Sequence, residues 1–161
     1  FVALDTSQSY GQGSAEYDWL VNDLQSTAQP WIVVFAHYPA YSSGEHGGRK
    51  KLQNQVMPLL EAHGVDVVFA GHDHIYERTC PIRDGACTTP EAGGVVHFVT
   101  GGGGSSLYQA EGDWFTEYTE GVNHFLRVEV DGCRLAVEAV DTNGTVFDSY
   151  RLDRCGEGEG K

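Results

Sequence analysis

The sequence predicts an α/β fold in which a β-α-β-α-β segment is followed by an antiparallel meander. Two runs of β-branched and aromatic residues, 31–36 and 65–70, are typical of strands buried on both faces of a parallel sheet. Apolar residues at helical spacing precede each run, and hairpin turn signals occur in the second half of the chain. A parallel sheet with right-handed crossovers accounts for the first half, and antiparallel hairpins account for the second.

In the first half, the predicted elements are a strand at 1–4, a helix at 14–27, a strand at 31–36, a helix at 49–63 and a strand at 65–70. Ser14 is the expected N-cap of the first helix, because acidic residues follow it in the first turn. In the second helix, Pro58 predicts a kink and Gly64 predicts the residue that ends it.

In the second half, strands are predicted at 95–100, 123–130, 133–140 and 145–151. Residues 79–93 are expected to form a loop rich in Cys, Pro and Gly. Turns at 131–132 and 141–144 join the last three strands. Residues 143–145 also fit the N-glycosylation pattern, but the hairpin turn is the favoured interpretation.

The charge and length of the chain exclude several classes of protein. The 161 residues suffice for one domain with a proper core, and the net charge is −13. That charge argues against nucleic acid and anionic membranes as partners, and no apolar run reaches membrane-spanning length. It also repels phosphate, so chemistry on a phosphate substrate would need metal cations to reverse the local field.

Four cysteines, at 80, 87, 133 and 155, lack the Cys-x-x-Cys spacing of zinc knuckles. Three disulfide connectivities are open, as is a set of four reduced thiols. The preferred pairing is Cys80–Cys87 with Cys133–Cys155, which implies an oxidising compartment.

Histidines follow the two predicted buried strands. His37 comes directly after the first strand, and His72 and His74 follow the second across Gly71. Parallel neighbouring strands would bring the three imidazoles to one edge, where they suit zinc or another transition metal. On an extended chain the rings of His72 and His74 point to opposite sides, which favours two adjacent metals. The alternative is that these histidines only cap the sheet.

The chain begins with Phe1, and its one methionine is Met57. We therefore expect a fragment or a processed product whose first strand continues from a segment upstream.

These residues together resemble the calcineurin-like metallophosphoesterases, and most closely the purple acid phosphatase branch. The segments that carry the resemblance are Val34–His37 followed by Tyr38-Pro39, Gly71–His74 followed by Tyr76–Arg78, Leu4–Thr6, Gly101–Gly104, and His46 nine residues after His37. The resemblance implies that residues 1–155 are the carboxyl half of a four-layer α/β/β/α catalytic domain. Residues 156–161 have no apolar content and are expected to form a disordered tail.

The resemblance also implies site roles. His37 and His72 are expected to bind the second, divalent metal, and His74 the first, which is ferric iron in purple acid phosphatases. His46 resembles the histidine that contacts phosphate and protonates the leaving oxygen. Two further residues, Tyr76 and Arg78, are expected to support the ligand loop structurally.

The implied activity is metal-dependent phosphoester hydrolysis by a dinuclear centre of iron with zinc, manganese or iron. The family's other ligands, two aspartates and an Asn-His pair, have no counterpart here, so the amino-terminal half of the domain is the expected partner. For this chain alone we expect one divalent metal or none, and little activity. The expected substrate is a phosphomonoester or a related phosphate. The preferred disulfides predict a secreted or otherwise extracytoplasmic location.

Two alternatives stay open: a nucleotidase or phosphodiesterase of the same superfamily, and a non-catalytic module for metal binding or support. Residues to which no site role is given are Asp5, His63, Asp66, His97 and His124, together with 49–51 as a solvated helix start and 101–104 as a tight turn beside the site.

Overall fold

The computed structural model describes residues 1–155; the predicted tail at 156–161 lies outside them. The helices are α1 (Ala15–Ser26), a π-helical segment (Leu52–Val56) that continues into α2 (Met57–Ala62), and a 3₁₀ turn (Pro90–Ala92). The strands are β1 (Val2–Leu4), β2 (Val33–Ala36), β3 (Val67–Ala70), β4 (Tyr76–Thr79), β5 (Ile82–Arg83), β6 (Ala86–Cys87), β7 (Val96–Thr100), β8 (Thr116–Glu120), β9 (His124–Asp131), β10 (Arg134–Asp141) and β11 (Val146–Asp153). None of the helices described here has the length and apolar character needed to cross a membrane.

The strands form two main sheets. The larger has the order β1-β2-β3-β7-β4-β8, and its first four strands are parallel while β4 and β8 join antiparallel. The smaller is the antiparallel meander β11-β10-β9. The predicted α/β class, with a β-α-β-α-β segment followed by a meander, is therefore confirmed.

The large sheet is covered on both faces. Helical residues such as Leu20 and Leu60 pack with Val34 and Val68 on one face. On the other face, Phe69 and its neighbours pack against the inner side of the meander. The described residues thus form three layers, α/β/β, with one apolar core between the helices and the large sheet and another between the two sheets. Ser14 caps α1 as predicted, since its hydroxyl accepts from the backbone N–H of Tyr17.

Two strands were missing from the sequence prediction, and one predicted loop is partly wrong. Both β4 and β8 are rich in Glu, Thr and Tyr, so neither shows the apolar run by which buried strands are recognised. Glu77 is nonetheless fully buried, because its carboxylate accepts hydrogen bonds from Ser43 and Thr116. Within 79–93, β5 and β6 pair as a small hairpin rather than a loop.

The second helix departs from regular geometry just before Pro58. Residues Leu52–Val56 are π-helical, and the N–H of Met57 bonds to the carbonyl of Leu52. Such a widened turn accommodates a proline ring that would clash with the preceding carbonyl. The predicted irregularity is therefore a π-segment upstream of Pro58, and Gly64 follows the helix with a φ of 67°.

Both preferred disulfides are present. Cys80 pairs with Cys87 and Cys133 with Cys155, with Cα–Cα distances of 5.7 and 5.1 Å. The alternative of four reduced thiols is therefore wrong. The turn at 141–144 is also as predicted, with Gly144 at a φ of 84°.

A part-buried polar contact joins the two sheets. Asp148 of β11 accepts from the hydroxyl of Tyr76 at 2.6 Å and from the guanidinium of Arg78 at 2.7 and 3.0 Å. Burial raises the pKa of Asp148, but the hydrogen bonds from Arg78 and Tyr76 outweigh it and hold the pKa below its ordinary value. The two residues expected to support the ligand loop thus anchor β4 to the second sheet.

The substitution Arg78→Ala should lower the free energy of unfolding by about 3 kcal/mol, because it leaves the Asp148 carboxylate, whose side chain is only 9% exposed, without its cation. The matched control is Arg134→Ala, which removes an Arg–Asp pair whose side chains are 63% and 53% exposed and should cost at most about 1 kcal/mol. Urea denaturation of both variants measures the difference. Equal losses would contradict a structural role for the inter-sheet contact.

His97 gives a pH-dependent prediction. Burial lowers its pKa to about 3 from an ordinary value of 6.5. Between these values the unfolded chain binds a proton that the folded chain does not, so stability falls as pH drops through this range. The contribution of His97 is about 1.4 kcal/mol per pH unit.

The substitution His97→Gln removes this proton linkage, so the stability of the variant should change less than the parent's as pH falls. Urea midpoints measured across the range test this. Phe98→Leu on the same strand is the control, since it changes packing without a titrating group and should shift the curve equally at every pH. A His97→Gln curve parallel to the parent's would refute the prediction.

Candidate metal centre

The register of two parallel strands brings His37 and His72 together. β2 and β3 pair residue for residue from Val33–Val67 to Ala36–Ala70. The ladder continues one step further, since the N–H of Gly71 donates to the carbonyl of His37 at 3.1 Å. The imidazole of the next residue, His72, then lies with its ring centroid 5.2 Å from that of His37. Both rings stand at the carboxyl edge of the sheet, where α/β proteins bind ligands.

The segment that carries the second and third histidines is not extended. His72 has a φ of 71°, a left-handed conformation that is uncommon for residues other than glycine. The expectation that His72 and His74 point to opposite sides assumed an extended chain, so that argument for two metals does not hold. A strained backbone of this kind persists only where surrounding contacts fix it, and it is frequent at functional sites.

The ring of His74 is oriented by the loop that follows β7. Its Nδ1 lies 3.0 Å from the carbonyl oxygen of Ser106, and its backbone N–H donates to the hydroxyl of Tyr108 at 3.0 Å. A carbonyl only accepts, so the proton is on Nδ1 and Nε2 is the nitrogen left for a metal. This is the usual outer arrangement of a metal-binding histidine.

His72 has a different neighbour. The guanidinium of Arg49 donates to its Nε2 at 3.1 Å and lies over the ring of Tyr38 at 4.5 Å. Burial, followed by the nearby His46 and Arg49, lowers the pKa of His72, which favours the neutral form that ligates metals. The interpretation of Arg49 as a solvated helix start is therefore wrong, whereas Lys50 and Lys51 are exposed as expected.

The ring of His46 lies close to those of His72 and His74. Its centroid is 4.7 Å from that of His72 and 6.5 Å from that of His74, and its side chain is 46% exposed. Its Nδ1 is 3.1 Å from the carboxylate of Asp73 and 3.3 Å from the hydroxyl of Tyr108. His46 thus borders the histidine cluster from a separate loop.

Two buried carboxylates hold that loop against the strand ends. Asp73 accepts from the hydroxyl of Ser42 at 2.6 Å and from the backbone N–H of His46 at 2.9 Å. Glu77 accepts from the backbone and hydroxyl of Ser43 at 2.8 and 2.6 Å. Burial raises the pKa of Asp73, yet the bonds from Ser42, Tyr108 and His46 outweigh it and keep the pKa low, so the carboxylate is ionised.

Glycines let neighbouring loops approach this segment. A Cβ on Gly101 would lie 2.1 Å from the carbonyl oxygen of Asp73, and one on Gly44 would lie 2.5 Å from its carboxyl carbon. A side chain at position 101 would therefore have to displace backbone, and one at position 44 would have to displace the carboxylate of Asp73. The glycine run therefore packs beside the site, as the sequence predicted.

The imidazole nitrogens at this edge suit a metal, but they do not form a closed set of ligands. Imidazole nitrogens are good ligands for zinc, iron and related ions, and His74 has the outer contact that such a ligand needs. Within residues 1–155, the one group of three His, Cys, Asp or Glu with ligand atoms inside 4.8 Å is Cys133, Asp153 and Cys155, whose sulfurs form a disulfide. The predicted ligands His37, His72 and His74 share one edge without closing into such a group.

The residues to which no site role was given lie elsewhere. His63 contacts the carbonyl of Leu59 at the end of α2, and His124 contacts Thr100 and Val122. Asp66 receives hydrogen bonds from Ile32 and Arg154 at the opposite end of β3.

Sequence reasoning missed three residues of the site, namely Arg49, Asp73 and Tyr108. Asp73 lies between two histidines, and no local pattern indicates that its side chain contacts His46 on a separate loop. Tyr108 lies 34 residues from His74, and no periodicity links them. Arg49 was grouped with two lysines and so taken as a surface charge.

Comparison with known proteins identifies the fold and family. Residues 3–76 match the family model described as calcineurin-like phosphoesterase. The chain is 31% identical to "Probable inactive purple acid phosphatase 1" of Arabidopsis thaliana, over 96% of this chain and 28% of that protein. It is 36% identical to "Purple acid phosphatase 18" of the same plant, over 65% of this chain and 24% of that protein.

A solved structure supports the same family assignment. The purple acid phosphatase PPD1 from yellow lupin (Lupinus luteus) seeds superposes with a TM-score of 0.83 and 28% identity, covering 94% of this chain and 30% of that one. The chain thus spans less than a third of the length of these relatives. The histidine cluster, the sheet order and these matches together show that the chain belongs to the calcineurin-like metallophosphoesterases, in their purple acid phosphatase-like branch.

Proposed function

We propose that this chain supplies the histidine side of a dinuclear metal centre that hydrolyses phosphoesters in the manner of an acid phosphatase. The observation that carries the proposal is the shared edge of His37, His72 and His74, with the ring of His46 beside them. In the proposed site His37 and His72 hold one metal and His74 holds the other, iron with zinc, manganese or iron.

Bound metals would activate a water and neutralise charge on the phosphoryl oxygens. The chain's own residues hold the proton donor in position and protonate the leaving oxygen. His46 stands next to the ligand cluster and can donate a proton to the leaving oxygen. Its loop is fixed by Asp73 and Glu77, so the donor is held in place before substrate arrives. Arg49 adds a cation in a chain of net charge −13, where a phosphate otherwise meets repulsion.

The proposed partner is the rest of the same catalytic domain, which would supply the carboxylate ligands. An apolar surface with no cover in residues 1–155 supports this. Phe1 and Phe35 are 86% and 43% exposed, and Phe35 stacks on Phe69 beside the site. On the edge strand β9, Val128 and Val130 are 39% and 45% exposed although they lie on the face that points to the large sheet. Covering such a surface is a role for a further layer of the domain.

Two disulfides are typical of an oxidising compartment, and on that basis we propose that the protein is secreted or otherwise extracytoplasmic. A phosphomonoester or a related phosphate is the proposed substrate.

A second candidate is a metal-binding or supporting module without catalysis. Its support is the contact of Arg49 with Nε2 of His72, which occupies a nitrogen that a ligand would use. The name of one relative, "Probable inactive purple acid phosphatase 1", is in keeping with it.

Metal binding by the chain itself tests the proposal. Calorimetric titration with Zn²⁺ should show binding that is weakened at least about tenfold by His72→Ala or His74→Ala, since each removes a ligand. The control is His63→Ala, whose ring contacts a helix carbonyl away from the site. Equal affinity in all four proteins would contradict the metal assignment.

Inorganic phosphate tests the substrate side. With Zn²⁺ present, phosphate should perturb the ring signals of His46 in nuclear magnetic resonance spectra, and His46→Ala should weaken phosphate binding while leaving Zn²⁺ affinity unchanged. Phosphate binding without metal, or independent of His46, would favour the second candidate.

Arg49 competes with a metal for His72. The substitution Arg49→Gln removes a positive charge beside the site, so Zn²⁺ affinity should rise about tenfold, or by about 1.4 kcal/mol, an ordinary size for one charge a few ångströms away. Lys50→Gln, which removes an exposed cation at the next position, is the matched control and should leave affinity nearly unchanged. A loss of affinity in Arg49→Gln would show that Arg49 supports the metal site instead.

A further inference from the structure

Asp73 is a fully buried carboxylate whose contacts converge on His46. One oxygen, Oδ1, accepts from the backbone N–H of His46 at 2.9 Å, from its ring Nδ1 at 3.1 Å and from the hydroxyl of Tyr108. The other, Oδ2, accepts from the hydroxyl of Ser42 at 2.6 Å. A residue that stands between two proposed metal ligands therefore directs its own side chain to the proposed proton donor.

This contact determines which nitrogen of His46 carries the proton. Oδ1 of Asp73 is a hydrogen-bond acceptor, because it also accepts from the backbone N–H of His46 and from the hydroxyl of Tyr108, so the ring nitrogen that faces it, Nδ1, is the one that carries the proton. Among residues 1–155, the structure shows no hydrogen-bond partner for Nε2 of the same ring. Because Asp73 also holds the backbone of His46, it fixes both the position of the residue and the orientation of its ring.

We propose that Asp73 is the positioning residue of His46, holding the proton on Nδ1 and thereby reserving Nε2 for the phosphate. In the reaction a proton leaves Nε2 of protonated His46 for the oxygen of the departing alcohol, while the Nδ1 proton stays on Asp73's side of the ring. This rests on the role given to His46 in the proposed function. Tyr108 completes the arrangement by donating to Asp73 and accepting from the backbone of His74.

Comparison with Glu77 distinguishes the positioning of His46 from general support of its loop. It is as deeply buried as Asp73 and holds the same loop through Ser43, but it has no hydrogen bond to His46. A change at Glu77 therefore loosens the loop without removing the acceptor of the ring proton.

The test is the tautomer of His46, read from ring ¹⁵N shifts of the metal-free chain at a pH above the histidine range. In the parent chain His46 should be in the Nδ1–H form, and an Nε2–H form would overturn the proposal without any variant. Asp73→Ala should shift His46 towards the Nε2–H form, which an unconstrained histidine prefers. Glu77→Ala should leave the tautomer unchanged.

A tautomer that stays Nδ1–H in folded Asp73→Ala, or one that shifts equally in Glu77→Ala, would also overturn the proposal. Retained ring signals of His97 and His124 show that each variant is folded. Since the readout needs neither metal nor phosphate, a failure of the proposed hydrolysis would leave this result intact. Conversely, a wrong tautomer would leave Zn²⁺ binding by His72 and His74 in place.

Discussion

The parallel pairing of β2 with β3 is the constraint on which the site depends. Residue-for-residue register from Val33–Val67 onwards places the carbonyl of His37 against the N–H of Gly71. A shift of one residue would turn every side chain of a strand to the other face and would separate the two rings. The register is in turn fixed by the core, because Val34 and Val68 must face the helices while Val33 and Val67 face the second sheet.

The parts of the fold that could be predicted from the sequence are those that depend on local patterns of residues. The buried strands, both helices, the meander and the two disulfides each depend on local patterns, so they could be anticipated. The strand β4 could not, since its burial depends on partners distant in sequence: Asp148 for Tyr76 and Arg78, and Ser43 and Thr116 for Glu77. Polar residues become core residues only when such partners are known.

The site likewise has features that follow from local sequence and features that depend on contacts distant in sequence. Histidines that directly follow buried strands could be placed at one edge from strand order alone. The left-handed backbone of His72 could not, because it depends on contacts made by residues on other loops, so the argument from alternating side chains was wrong. Arg49, Asp73 and Tyr108 act through contacts between loops, and a single sequence carries no pattern for these.

The outer contacts of the histidines have a consequence for how the complete site assembles. Asp73 and the carbonyl of Ser106, which orient the rings of His46 and His74, belong to this chain, and so do the carboxylates that hold the loop at 42–46. Ordering these side chains is therefore a cost of folding the chain itself and not of binding a metal or a partner. If the proposed metal centre forms, a half-site organised in this way would gain affinity when the remaining ligands bind, because it would lose little further conformational freedom. Arg49 is the exception, since in the proposed centre its contact with Nε2 of His72 would be exchanged for one with a metal.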